Sequence, residues 1–254
     1  MPPLDLSFFA IAGPAVVFAG ISKGGFGSGA AFASAAILAL VMEPGAAIGV
    51  MLPLLMLIDL ATLKPYWKRW NTHDALVLIL GSLPGVVLGA AFYTVADADH
   101  LRLLIGGIAL LFVAWQIAGR AGKIPVAGRP IPFWGGLVAG LAAGFTSFVA
   151  HAGGPAAAVY LLSKRPGKTE FQATTVIVFW ANNVLKAAPY GFLGIFTAET
   201  LWAGLWLAPF ALFGTWLGVR AHFAIPERVF FALTYVLLTV TGAKLVWDGL
   251  SQGS

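Results

Sequence analysis

Apolar runs bounded by short polar loops recur from Phe8 to Leu250, and several reach the roughly 20 residues that a helix needs to cross a hydrocarbon core about 30 Å thick. In that solvent every backbone polar group has to be satisfied within the chain. The expected fold is therefore all-α, a polytopic membrane protein. Composition agrees where it discriminates: 10% of the 254 residues are charged, against about 25% in soluble domains. No stretch is left over for a soluble domain. The first apolar run, Phe8 to Gly20, follows Asp5 without a basic n-region and continues into Ser22-Lys23-Gly24-Gly25, so it is expected to stay in the mature chain rather than act as a signal peptide. The net charge of +5 sits mainly in short loops, where it sets membrane orientation and gives no reason to expect nucleic acid. The chain has no cysteine, which removes disulfides, thiolate metal sites and thiol nucleophiles.

Two halves align at an offset of about 124 residues. Gly20 to Gly29, Gly-Ile-Ser-Lys-Gly-Gly-Phe-Gly-Ser-Gly, falls opposite Gly144 to Gly153, Gly-Phe-Thr-Ser-Phe-Val-Ala-His-Ala-Gly. Ser22 then matches Thr146, and Asp59 matches Asn183. The Pro84 segment with Gly89 matches Pro209 with Gly214, and Arg102 matches Arg228 after small slips. The domain reading is one integrated membrane domain of two repeats, residues 1–124 and 125–254, each with one broken segment and three plain transmembrane helices.

The broken segments, Phe8 to Leu40 and Pro132 to Leu162, would each measure nearly 50 Å as one straight helix at about 1.5 Å per residue. Their central glycines, each costing about 1 kcal/mol relative to alanine, predict a pair of half-helices instead. If both segments turn back as re-entrant hairpins, eleven of the fifteen basic residues face the cytoplasm. They lie in the loops with Lys64, Lys68 and Arg69, with Arg120, Lys123 and Arg129, with Lys164, Arg165 and Lys168, and with Arg220 and Arg228. The other face receives Asp5, Glu43, Asp97, Asp99, Glu199 and Asp248, with Arg102 and Lys244 as exceptions. Plain crossings would export five of the basic residues. The distribution favours six full crossings and two hairpins entering from opposite faces, which makes the halves inverted repeats.

Irregular backbone at membrane depth belongs in protein or beside a wet cavity, so the two breaks are the first candidates for function. Half-helix N-termini at Gly24, Gly25, Gly27 and Ser28, and at Gly153 and Gly154, offer N–H groups to an anion, with Ser22, Thr146 and Ser147 adjoining. Close helix packing is the alternative use of the same glycines. Lys23 lies some fifteen residues inside its segment, too deep to snorkel; it either faces an anionic ligand or pairs with Asp59. His151 divides between substrate or proton handling and structural hydrogen bonding. Asn182 and Lys186 share a helical face, with Asn183 adjoining, and together supply amide donors and a cation to a multi-oxygen anion; the alternative is interhelical hydrogen bonding. Asp59, expected near the cytoplasmic end and partly hydrated, is the second candidate for proton coupling beside His151. Tyr66, Trp67 and Trp70 read as an interfacial aromatic belt.

The order of the early Gly-Ile-Ser-Lys-Gly-Gly-Phe-Gly-Ser-Gly, its second copy ending in His151-Ala152-Gly153-Gly154-Pro155, and the Asn182-Asn183 helix resembles the sulfite exporter family, also called TauE/SafE, over nearly the whole chain. The resemblance implies a multi-pass permease of the bacterial inner membrane for sulfite, a sulfonate or a related sulfur-containing anion, without a cofactor. An anion bound at the midplane between the two breaks would leave the cell down the membrane potential. An anion channel, or proton-coupled uptake of a sulfonate or thiosulfate, stays open at this point. An enzyme would need a nucleophile, base or metal cluster, and no two of the four histidines stand in ligand spacing. A homodimer also stays open.

Overall fold

The computed structural model describes residues 4–26, 31–120, 130–222 and 227–251, and within them the chain forms ten α-helices, one π-helical turn and no strand. In order these are α1 (Leu6–Ile21), which runs directly into the π turn Ser22–Phe26, then α2 (Phe32–Leu38), α3 (Pro44–Leu63), α4 (Thr72–Val95) and α5 (Ala98–Arg120). The second half comprises α6 (Phe133–Ala150), α7 (Gly154–Ser163), α8 (Lys168–Phe192), α9 (Ala198–Ala221) and α10 (Glu227–Ser251). The starts follow local chemistry. Asp5 caps α1 by accepting from the Phe8 N–H at 2.9 Å, Asn71 caps α4 through Asp74, and Thr197 with Thr200 forms a reciprocal capping box on α9.

Six helical stretches among the described residues are long and apolar enough to cross a membrane: Leu6–Phe26, Pro44–Leu63, Thr72–Val95, Ala98–Gly119, Phe133–Ala150 and Ala198–Ala221. They are not the six plain helices expected from the sequence. Of those expected, α8 has the length, 25 residues, but is too polar, whereas α1 with its π turn and α6 qualify. For α8 the reason is that its polar residues point inward: Gln172, Asn182, Asn183 and Lys186 are all buried. Large apolar side chains face outward instead, such as Leu80, Val87 and Leu88 on α4 and Trp202, Trp206 and Phe213 on α9. A bundle with an apolar skin and its polar groups turned inward suits lipid.

Both broken segments double back. The Ser34 hydroxyl donates to the Ala15 carbonyl at 2.5 Å, so α2 returns beside α1. The Ile131 N–H donates to the Ser163 hydroxyl at 3.0 Å, so α7 ends where α6 begins. Each hairpin lies on the other half of the chain. Gly13 meets Phe210 and Gly24 meets Gly218, so α1 runs parallel to α9; Gly81 meets Leu137 and Gly89 meets Phe148, so α6 runs parallel to α4. A side chain at Gly214 would strike the Val17 backbone and one at Gly144 the Ser82 backbone, which explains small residues at both seams. Between the seams α3 and α8 run antiparallel, with Tyr66 just beyond α3 packing beside Val176, and Ile48 and Leu52 packing beside Tyr190. Helices α5 and α10 are also antiparallel, through Gly106 with Gly242 and Leu103 with Gly249. Exchanging the two halves leaves this pattern of neighbours unchanged.

Candidate anion site

Break one is the π turn. Three consecutive carbonyls of the turn are taken up by side chains from three directions. Gln172 at the start of α8 donates to Lys23 O at 2.5 Å, Tyr66 in the α3–α4 turn to Gly24 O at 2.8 Å, and His222 at the end of α9 lies 2.5 Å from Gly25 O through Nδ1. The Lys23 side chain reaches inward. Its Nζ is 2.5 Å from Asp59 Oδ1, and the second Asp59 oxygen accepts from Asn183 Nδ2 at 2.7 Å. Lys23 also stands 5.9 Å from the centre of the Phe179 ring. Lys23 is 3% exposed and Asp59 0%, so this charge pair is sealed inside the bundle.

Break two is built differently. Helix α6 ends on His151 in the left-handed region, φ 54°, a conformation usual for glycine and held here by the ring's own bonds. Its Nε2 lies 2.9 Å from Ile48 O and its Nδ1 2.9 Å from Lys186 Nζ. A carbonyl only accepts and an ammonium only donates, so these two contacts place the proton on Nε2 and leave Nδ1 as the acceptor. Lys186 completes its shell with Ser147 O and Ser147 Oγ, both at 3.0 Å. Tyr190, one turn along α8, donates to Phe148 O at 2.5 Å. Three acceptors match the three N–H bonds of an ammonium. None is charged, and among the described residues Lys186 has no carboxylate within ion-pair distance.

One turn before Lys186, Asn182 accepts from Ser82 at 2.5 Å while its Nδ2 donor has no partner among the described residues. A buried donor left in that state is rare enough to ask what fills it. On the far side of break two a cavity of about 290 Å³ lies between Ile108, Leu111, Phe112 and Trp115 of α5 and Thr146, Pro155 and Val159 of the hairpin. Thr146 turns its hydroxyl onto its own helix end, to Ala142 O and Ala152 O.

The residues expected from the sequence therefore separate into two clusters joined by α8. Lys23, Asp59 and Asn183 form one; Ser147, His151 and Lys186 form the other, with Asn182 beside it. Of the alternatives for Lys23, the pair with Asp59 is the one found. Asp59 is not partly hydrated as expected but fully buried, because the inward reach of Lys23 and Asn183 encloses it. Gly24 and Gly25 face the α9 backbone, where a Cβ would meet Thr215 O and Gly218 O, and a Cβ on Gly153 would meet Ala143 O and Phe179. These glycines serve close helix approach. Ser22 is buried in the π turn, and Gly154 opens α7. Gly27 and Ser28 lie outside the described residues. Tyr66 departs from the aromatic belt, being 5% exposed and bonded to break one, whereas Trp67 is exposed and packs edge-on against Trp70.

Sequence reasoning missed Gln172, Tyr66, His222, Ser82 and Tyr190. For Tyr190 and Gln172 a signal existed: they follow Lys186 by four and precede it by fourteen residues, positions on the same helical face. No curated protein and no solved structure matches the chain. The family model described as sulfite exporter TauE/SafE matches residues 12–245. With a match over that length, on a helical bundle with buried polar clusters and an apolar surface, the chain belongs to the sulfite exporter TauE/SafE family of membrane transporters.

Proposed function

We propose that the chain carries a small sulfur-containing oxyanion, sulfite or an organosulfonate, outward across the bacterial inner membrane. The anion binds between the α6–α7 break and α8, beside Lys186, with Asn182 as a further donor. The observation that carries this reading is the Lys186 side-chain amine, fully buried and, among the described residues, bonded to neutral acceptors alone. An unbalanced buried charge costs several kcal/mol, and a bound anion offsets that penalty. The sealed surroundings favour a carrier with an occluded state over an open pore.

Two further parts of the reading have their own support. The parallel seams α1–α9 and α4–α6, with antiparallel α3–α8 and α5–α10, support two inverted repeats whose hairpins enter from opposite faces. Asp59 and Asn183, 124 residues apart, touch each other; positions that correspond between the halves meet only at the axis relating them. Outward transport needs no coupled ion, because an interior-negative potential drives an anion out with about 2.3 kcal/mol per charge per 100 mV. A second reading, proton-coupled uptake, is favoured by the contact of His151 Nδ1 with Lys186, through which a proton and the anion would compete for one ammonium. Sulfite flux in proteoliposomes at an imposed potential, with and without a pH gradient, decides. Flux that follows potential alone supports export, flux that needs the pH gradient supports uptake, and flux unaffected by Lys186→Met removes the site.

A further inference from the structure

We propose that the site selects by charge, accepting a monoanion such as hydrogen sulfite or an alkanesulfonate and excluding dianions such as sulfate, thiosulfate and fully ionised sulfite. This rests on the reading that the anion binds beside Lys186. Asp74 is also buried, 7% exposed, but it sits in the first turn of α4, at the end of the bundle, where it accepts from the Tyr160 hydroxyl at 2.8 Å; deeper inside, the fixed charges of the described residues are few. Lys23 and Asp59 are in ion-pair contact at 2.5 Å and cancel. His151 has both ring nitrogens engaged, Nε2 toward Ile48 O and Nδ1 toward Lys186, and in that arrangement the ring is neutral. Lys186 is left with one positive charge and only neutral neighbours.

One negative charge brings the interior to neutrality. A dianion would overshoot, and the excess would sit in a space with little water to screen it: Lys186, Asp59 and Asn182 are 0% exposed. The hydrogen bonds point the same way. Asn182 Nδ2 is the donor without a partner, and Lys186 can add an N–H bond only by giving up one of its present acceptors, enough for part of one sulfonate group but few for a fully charged, strongly hydrated dianion. A dianion could enter only with a proton. That proton would ride on the substrate itself or on His151 Nδ1, and the latter would break the Lys186 contact.

Sulfite tests this without any variant, because its second ionisation lies near neutral pH whereas alkanesulfonates stay monoanionic and sulfate stays dianionic. The full-length protein in proteoliposomes would be assayed by counterflow of labelled sulfite, methanesulfonate and sulfate, at zero potential and with equal pH on both sides. Methanesulfonate flux is expected to be flat across neutral pH, sulfite flux to fall with the hydrogen sulfite fraction as pH rises, and sulfate to be carried poorly. Asp59→Asn raises the interior by one positive charge and is expected to lift the sulfate to methanesulfonate ratio about tenfold or more. Lys23→Met/Asp59→Asn restores the charge sum and is expected to restore the ratio. Sulfite flux that rises with pH, or sulfate carried as well as methanesulfonate, would overturn charge selection while leaving the transport reading intact. Absence of counterflow for every sulfur anion, or flux indifferent to Lys186→Met, would overturn the underlying site. If Asp59→Asn does not insert, the pH dependence of the unmodified protein decides alone.

Discussion

The two breaks hold one lysine each, and the lysines are used in opposite ways. At break one Lys23 projects from the broken helix onto a carboxylate, and the freed carbonyls are capped by Gln172, Tyr66 and His222. At break two Lys186 reaches in from the neighbouring long helix, meets no carboxylate among the described residues, and itself caps the broken end together with Tyr190. The first arrangement is balanced in charge and tied from three elements, which suits a strut. The second holds unbalanced charge against a backbone turn in the left-handed region, with an apolar cavity on its other side, which suits a ligand site able to rearrange. On the proposed repeat, the halves need not share the work equally: at matching positions the first has Lys23 and the second Ser147.

Replacing one partner of the balanced pair should have the largest effect on stability. Lys23→Met leaves Asp59 buried and unpaired, an expected loss of about 3–5 kcal/mol, and Lys23→Met/Asp59→Asn should recover most of it. Thermal unfolding in detergent measures both, and a single variant as stable as its parent would break the strut assignment. Lys186→Met should leave the melting temperature near its starting value but lower anion flux about 100-fold, since an uncompensated charge contributes to binding rather than to folding. His151→Gln is expected to lower flux about tenfold and to flatten its pH dependence, because the amide offers Lys186 an acceptor that does not titrate. The smallest effect belongs to Tyr66→Phe, which removes one bond to Gly24 O at a loss of about 1 kcal/mol in stability, with KM unchanged. A raised KM there would draw break one into the binding site.

These contrasts also mark how far the sequence could be read. The membrane class, the broken segments and the polar residues within them follow from local pattern: a lysine deep in an apolar run, a glycine cluster, two asparagines on one helix. The partners of those residues do not. Gln172, Tyr66 and His222 lie 149, 42 and 197 residues from the carbonyls they bind, near the start of α8, in the α3–α4 turn and at the end of α9, and only packing brings them together. Gly24, Gly25 and Gly153 look the same in sequence whether a ligand or a neighbouring backbone fills the space of the missing Cβ; it is the α9 and α6 backbones that fill it. Asp59 appeared near an interface by counting residues, but burial depends on what lies across from it, here Lys23 and Asn183. The sequence counted α8 among the plain crossings without showing that its polar face makes it a poor apolar span and the helix on which both clusters converge.

The most direct measurement compares Lys186→Met with Lys23→Met/Asp59→Asn in the same proteoliposomes, by counterflow of labelled sulfite corrected for the amount of inserted protein. Loss of counterflow in the first and its retention in the second is the predicted result. Retention in the first with loss in the second would place the anion at break one and contradict the account.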